Sequence, residues 1–542
     1  MQCDMEIGND VTVKLIKRTL MSMLASGNFP SLLKTCKTVM IYKKGDPDAT
    51  RSWRPISITP TLYRIIMCHI SRSMQLLNDR RKFINSQQKG FMKIPCGAAE
   101  HVVIADEMIH HAARHRKNLY IMTIDFKDAF GSVPHDLIKK NLLDIGFSQN
   151  FVKCVLSSYK DSFTRIISNG SVSNEIVFGK GVKQGCPLSP TLFNLCIEPL
   201  LIKLNSMAED DGYHWFNRST AVQAYADDIV LFSDTEIGMN NLIHTVENFC
   251  IYAGNMVINA KKGSSFAFII DKGTRGTIQN HFMINNEEVD SICIQGSTQY
   301  LGLPLAAKVS QRKKHIFQKL LCMKQDVSKI ANSSLKTVQT IDAIKRFILP
   351  RVDYELMINA APINKLLDVD ARIRNQISKK IKAAGIPVDW FCTSKIDGGL
   401  NLQSLVERHK ALTIRLYVGM HESKDTNVRY LIRASDNDEM QYREAEADLD
   451  YPFLNVPTND TGSIKGNTKR GTSNLLSRAV KALHDLKFKL TQNVNGFVLQ
   501  SLIDDDNHLE EDVNKNRIMK SLMKISQRRH NMSLLRHKLK GH

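Results

Sequence analysis

The 542-residue chain is short of acid, of paired cysteines and of long apolar runs. No stretch of about 18 consecutive apolar residues occurs, so nothing in it reads as a membrane-spanning helix. Its 11 cysteines form no C-x-x-C pair and no Cys/His cluster at zinc spacing, which leaves no zinc knuckle and no redox pair to argue from. Scattered single cysteines fit a reducing compartment, so nucleus or cytoplasm is expected rather than secretion. Asp4, Glu6 and Asp10 interrupt the N-terminus, which therefore does not read as a signal peptide. Repeats and low-complexity tracts are missing as well. Acid is the scarcer charge: 54 Asp and Glu face 74 Lys and Arg, a net charge of +20. That excess favours a polyanionic partner, nucleic acid first. With 43% hydrophobic and 24% charged residues, the composition is that of a globular protein, which excludes disorder over most of the length.

Apolar spacing predicts helices over 11–24, 60–77, 98–117, 189–207 and 239–253, the fourth with Ser189 as N-cap and Pro190 at its first position. Strands are predicted over 37–42 and 119–124, with short strand-like pieces at 256–258 and 265–270. From 310 to 430 the pattern is helical and basic. The polar stretch 434–475 reads as loop or linker, and 476–540 returns to helical spacing.

Two features depend on each other. The apolar run 119–124 ends at Asp125, a carboxylate at a strand tip. About a hundred residues later, 221–232 form two apolar strands with Asp227 and Asp228 between them, a hairpin with acid at its turn. Side by side in one sheet, these strands would bring three carboxylates to one edge. Converging carboxylates repel, and burial makes the repulsion worse, so a divalent cation is expected to neutralise them. Hard oxygen ligands on a rigid sheet suit Mg²⁺, and a pair of such ions would clamp the attacking and leaving oxygens of a phosphoryl transfer. An isolated Asp-Asp pair is ordinarily a solvated turn; the flanking Tyr225, Ala226, Ile229, Val230 and Leu231 argue against that here.

Ala224-Tyr225-Ala226-Asp227-Asp228 resembles the polymerase motif of reverse transcriptases. Five further segments follow the order of that family. Met122 to Phe130 resembles the first catalytic Asp motif, and Gly181 to Pro190 the substrate-pocket motif. Tyr300-Leu301-Gly302-Leu303-Pro304 resembles the primer grip. Trp53-Arg54-Pro55-Ile56-Ser57, after the basic turn 43–47, resembles part of the fingers, and Gln87-Gln88-Lys89-Gly90-Phe91 resembles another fingers motif near the template path. The wording is most similar to non-LTR retrotransposons, especially site-specific elements with a restriction-like endonuclease, and the resemblance covers roughly residues 20 to 430.

The resemblance implies an α+β right-hand polymerase with fingers, a palm of antiparallel sheet plus helices, and a helical thumb, followed by a helical C-terminal extension. It divides the chain into 1–118 (N-terminal extension and fingers), 119–310 (palm, with about 146–180 open to assignment to the fingers), 311–430 (thumb and the adjacent Asp397-Gly398-Gly399-Leu400 segment), a linker 431–475 and a basic tail 476–542. It implies an RNA-directed DNA polymerase that takes an RNA template, a DNA primer or target DNA and deoxynucleoside triphosphates, with two Mg²⁺ ions for which Mn²⁺ can substitute. No membrane partner is implied, and the oligomeric state is left open.

By the same resemblance, Asp125 and Asp227 are the main metal ligands, with Asp228 beside them and the Phe126 carbonyl as a backbone ligand. Lys43, Lys44 and Arg54 would hold the nucleotide phosphates. Phe130 would collide with a ribose 2′-OH, and Gln184 with Gly185 would border the nucleotide. Lys262, or the adjacent Lys261, would protonate the leaving pyrophosphate. Tyr300, Leu301 and Gly302 would form the primer grip.

Full-length elements carry further DNA-binding and nuclease segments, so the chain is expected to be the polymerase core of a longer reading frame or a truncated copy. A decayed or domesticated nucleic-acid-binding protein is the alternative, and an intron-maturase-like splicing factor a more distant one. Nine Lys or Arg and no acid lie between Lys515 and Lys540, with Ile518, Leu522 and Ile525 at helical spacing. That pattern predicts a basic amphipathic helix, packed on the thumb or clamped on nucleic acid.

Overall fold

A computed structural model describes residues 10–43, 45–93, 96–168, 170–254, 256–259, 266–270, 282–291, 297–306, 309–446, 475–486, 488–493, 496–501 and 510–513. Two compact units share the chain: one from 1–97, 119–269 and 279–291, the other from 98–118, 270–278 and 292–542.

The first unit is built on two sheets. Strands β1 (Cys36–Tyr42) and β2 (Trp53–Ile58) pair antiparallel, with Ile41 opposite Arg54. β3 (Leu119–Ile124) belongs to the other sheet, while β4 (Phe163–Ser168) returns to run parallel to β1, and the short strands Ser171–Val172 and Ile176–Val177 both pair with β4. The second sheet has the order Asp290–Ser291, Phe266–Ile270, β3, β6 (Asp228–Ser233), β5 (Val222–Tyr225). β3 is buried almost throughout, which is why it reads as an unbroken apolar run rather than an alternating one.

Helix Ser189–Ser206 packs in the same core, buried on nearly every side from Leu192 to Leu204. Each such Leu, Ile or Phe contributes about 1.5–3 kcal/mol by leaving water. Its first-turn assignment is corrected: Leu188 is the N-cap, Ser189 is already helical and buried, and no side chain caps the end. Pro190 keeps its place in the first turn, where its missing N–H costs nothing.

The second unit is mainly helical, with Gly97–His115, Val309–Ala331, Ile363–Ile381, Leu405–His421, Thr426–Glu446 and Leu475–Leu486 as its longer helices. Two expectations fail here. Residues 434–446, read as linker, continue the helix Thr426–Glu446. The acids that made them look like a loop are partners inside the unit: Asp436 accepts from Tyr417 Oη at 2.9 Å and meets His421 Nε2 at 2.9 Å, while Asp438 pairs with Arg114 and His115.

The helical extension is also corrected. After Leu486 the chain forms an antiparallel sheet of Phe488–Asn493, Gly496–Ser501 and Glu510–Val513. Asn493 and Gly496 pair at the end of the hairpin, and the alternation in 488–492 carries strand period rather than helix period. The basic stretch 515–542 lies outside the described residues. Among the described residues, no helix is long and apolar enough to cross a membrane.

Candidate active site

β6 lies between β3 and β5. It pairs antiparallel with β3 so that Ile229 faces Ile124, and with β5 so that Asp228 faces Tyr225. One residue beyond the Ile229–Ile124 pair, Asp228 comes level with Asp125. Asp228 therefore opens β6, and the connecting turn is Ala226-Asp227 rather than the Asp-Asp pair itself. Ala226 adopts φ +57°, a left-handed conformation rare outside glycine and strained where it persists.

Asp125 is held from its other side. Asn259 donates its Nδ2 to the carboxylate at 3.2 Å and its backbone N–H to the Asp125 carbonyl at 2.8 Å. Lys127 N–H bonds Val257 at 2.8 Å, and Phe126 bridges Ile258 antiparallel. Because residues 125 and 127 make those bonds, the Phe126 carbonyl is directed to the opposite edge of the strand, the one that β6 borders. Phe126 itself is buried.

The electrostatics penalise negative charge at this edge. Burial raises the Asp227 carboxyl and Asp125 adds to the rise, while Arg54 and Lys43 pull it down. Asp228 has an exposed edge, yet the enclosure of its carboxyl and its two acidic neighbours push it up to about 6. Hard oxygen donors carrying excess negative charge suit a divalent cation. Among the described residues no three His, Cys, Asp or Glu side chains are drawn together as a formed metal cluster. The donors are brought to one edge by backbone register.

The basic turn between β1 and β2 is braced by its aromatic residues. Trp53 Nε1 donates to the Pro47 carbonyl at 2.7 Å, Tyr42 Oη to Gly45 at 2.6 Å, and the two rings meet edge to face. Lys43 and Arg54 are exposed on this hairpin; Lys44 lies outside the described residues, as do Lys261 and Lys262.

Phe130 is half-buried, stacked on Phe193 at 4.4 Å and met edge-on by the exposed Phe91. Gln184 and Gly185 are pinned to β2: Ser57 N–H bonds the Gln184 carbonyl at 2.7 Å, and Gly185, at φ +115°, has no room for a Cβ, which would lie 2.5 Å from the Ser57 carbonyl.

In the second unit, Thr298–Tyr300 and Leu303–Leu305 form a hairpin whose two-residue turn, Leu301-Gly302, has positive φ at both positions. Tyr300 is buried there, and Gly302 stands at the open tip.

Three residues carry more than the sequence revealed. Asn259, two residues before Lys261, holds Asp125 through a contact that no local pattern signals. Lys183, fully buried, donates to the carbonyls of Lys34 at 3.2 Å and Ser158 at 3.1 Å and lies among the rings of Tyr63, Tyr159 and Phe178. Burial lowers its ammonium to about 8. Gln88, assigned to a motif near the template path, is buried against the Ala226 turn, and Gly90 beside it was the available signal of a close backbone approach.

Residues 41–305 match the family described as reverse transcriptase (RNA-dependent DNA polymerase). The chain is 27% identical over 402 residues to the Retrovirus-related Pol polyprotein from type-2 retrotransposable element R2DM of Drosophila melanogaster, covering 73% of this chain and 36% of that one. It is 27% identical over 414 residues to a Retrovirus-related Pol polyprotein from type-1 retrotransposable element R2 of Popillia japonica, covering 73% and 56%. The chain thus spans about a third to a half of the length of these relatives. Among solved structures, apo telomerase from Candida Tropicalis aligns over 81% of this chain and 73% of its own, at 13% identity and a TM-score of 0.40.

Proposed function

We propose that this chain, which carries the reverse transcriptase core of a non-LTR retrotransposon, extends a DNA primer on an RNA template by metal-assisted phosphoryl transfer. The observation that carries the reading is the β3–β6 register, which sets Asp125 level with Asp228 and beside the Asp227 turn, with Arg54 and Lys43 close enough to act on Asp227.

Asp125, Asp227 and Asp228 would hold the divalent cations, read here as two Mg²⁺, with the Phe126 carbonyl as a further oxygen donor. Such cations supply charge neutralisation at the transferring phosphoryl group and orient the attacking 3′-oxygen. Arg54 and Lys43 bind and orient the triphosphate, Arg through its fork and Lys as a point charge. Phe130, backed by Phe193, leaves no volume for a 2′-OH. Gln184 and Gly185, held against β2 where Gly185 leaves no room for a Cβ beside the Ser57 carbonyl, border the nucleotide. We assign the Tyr300–Gly302 hairpin to the primer and proton donation to Lys262. Target-primed retrotransposition in the nucleus or cytoplasm is the setting this reading favours.

The test is extension of oligo(dT) on poly(rA) with Mg²⁺. Wild-type protein extends the primer; Asp227→Asn falls to background while template–primer binding persists. Wild-type protein that binds the duplex and extends nothing would instead support the decayed, nucleic-acid-binding reading.

A further inference from the structure

We propose that Gln88 is a positioning residue for the metal-binding carboxylates, an inference that rests on the function proposed above. Its side-chain amide is matched atom for atom to the backbone of the strained turn. Oε1 accepts from Ala226 N–H at 2.7 Å, and Nε2 donates to the Ala226 carbonyl at 3.3 Å. Oε1 also accepts from Gly90 N–H at 2.8 Å; two N–H donors on that atom fix which end of the amide is oxygen. Gln88 is 1% exposed, so these bonds form away from competing water.

The surroundings leave the amide one placement. Lys89 N–H bonds the Ala224 carbonyl and Ala224 N–H bonds the Gln87 carbonyl, both at 3.0 Å, so the segment lies along β5 as an added parallel bridge. Gly90 permits the approach, because a Cβ there would stand 2.2 Å from the Ala226 nitrogen. The buried Asn194 donates Nδ2 to the Gly90 carbonyl at 2.8 Å and closes the clamp from the helix Ser189–Ser206.

A residue that only filled space here would need length and apolar surface. Gln88 instead satisfies both backbone groups of Ala226, whose φ of +57° needs over-determination to persist. Asp227 is the next residue, so the peptide that Gln88 grips sets the direction in which that carboxylate leaves the turn. Metal ligands are commonly oriented by such hydrogen-bonded outer partners, and losing one typically costs about 10- to 100-fold in metal affinity or activity.

The experiment uses the full chain with Gln88→Met, which keeps length and removes the hydrogen bonds, in the wild-type and Ala226→Gly backgrounds. On poly(rA)/oligo(dT), the wild-type-background variant is expected to lose about 10- to 100-fold in kcat, with KM for dTTP and template–primer affinity held within about twofold. Mn²⁺ affinity read by electron paramagnetic resonance should fall in parallel. In the Ala226→Gly background, where left-handed φ carries no side-chain strain, the same replacement should cost about threefold or less. Unchanged kcat and Mn²⁺ affinity in folded Gln88→Met, or equal losses in the two backgrounds, would overturn the assignment. Should Gln88→Met not fold, Gln88→Asn withdraws the same amide by one methylene: folded and slowed several-fold supports the inference, folded at wild-type kcat overturns it. An inactive wild type would fault the proposed polymerase function, whereas an active wild type with an equally active Gln88→Met faults this inference alone.

Discussion

Asp106 in the second unit and Asp228 in the first are both carboxylates inside folded protein, and their surroundings push them in opposite directions. Burial raises Asp106, but Arg312 and His110 outweigh it and hold the carboxyl well below the usual range. Burial raises Asp228 too, and there the neighbours are Asp227 and Asp125, which raise it further. Further acids show the same contrast. Asp438 has Arg114 and His115, and Asp436 has Tyr417 and His421; Asp227 is raised by burial and by Asp125 against the opposing pull of Arg54 and Lys43. Asp106, Asp436 and Asp438 each come with a cationic or hydrogen-bonding partner inside the unit. At the strand ends the chain leaves the charge for something that arrives from outside.

Breaking a pair in the second unit should have the largest effect on stability. Arg312→Met removes the largest opposing charge from the buried Asp106 and leaves only His110 and Arg478 to offset it, and we expect about 3–5 kcal/mol of destabilisation by urea denaturation. Adding Asp106→Asn should recover part of that loss; no recovery would mean the guanidinium acts by packing rather than by pairing.

Removing charge from the first unit should do the reverse. The folded-state value of Asp228, about 6, lies above its unfolded value near 3.8. Its contribution to stability is therefore fully present below pH 3.8 and lost as the pH rises through 6. Asp228→Asn should raise the metal-free Tm at pH 7.5, by no more than about 1 kcal/mol equivalent once solvent screening is allowed for. At pH 4 the gain should vanish. Loss of activity together with gain of stability is the mark of a site kept strained for function.

A third effect, of opposite pH sense, concerns a neutral group. His409 is lowered from 6.5 to about 4 by burial, against the opposing contact of its Nδ1 with the Leu356 carbonyl. Its contribution is present above pH 6.5 and lost as the pH falls toward 4, because the unfolded chain takes the proton first. His409→Gln should flatten the decline in stability between pH 6.5 and 5, measured by denaturant titration.

The site was more legible in the sequence than the second unit was. Asp125 and the Ala226-Asp227 turn showed themselves because acid interrupts apolar strands, a local signal. Phe130, Gln184 and Gly185 followed from motif order. Gln88 stayed hidden because its role depends on a contact 138 positions away that no local pattern encodes. Residues 434–446 misled for a related reason: acid on a helix looks solvated until Tyr417 and Arg114 are seen to face it. The strands after Leu486 were overridden by helical spacing in their neighbourhood, where short apolar runs suit either period.

The contrast between paired and unpaired carboxylates is tested most directly by Mn²⁺ binding to the full chain, followed by electron paramagnetic resonance. The wild type should bind, Asp125→Asn/Asp227→Asn should lose at least about tenfold in affinity, and Asp106→Asn should bind as the wild type does. Equal Mn²⁺ affinity in the wild type and the Asp125→Asn/Asp227→Asn variant would contradict the account.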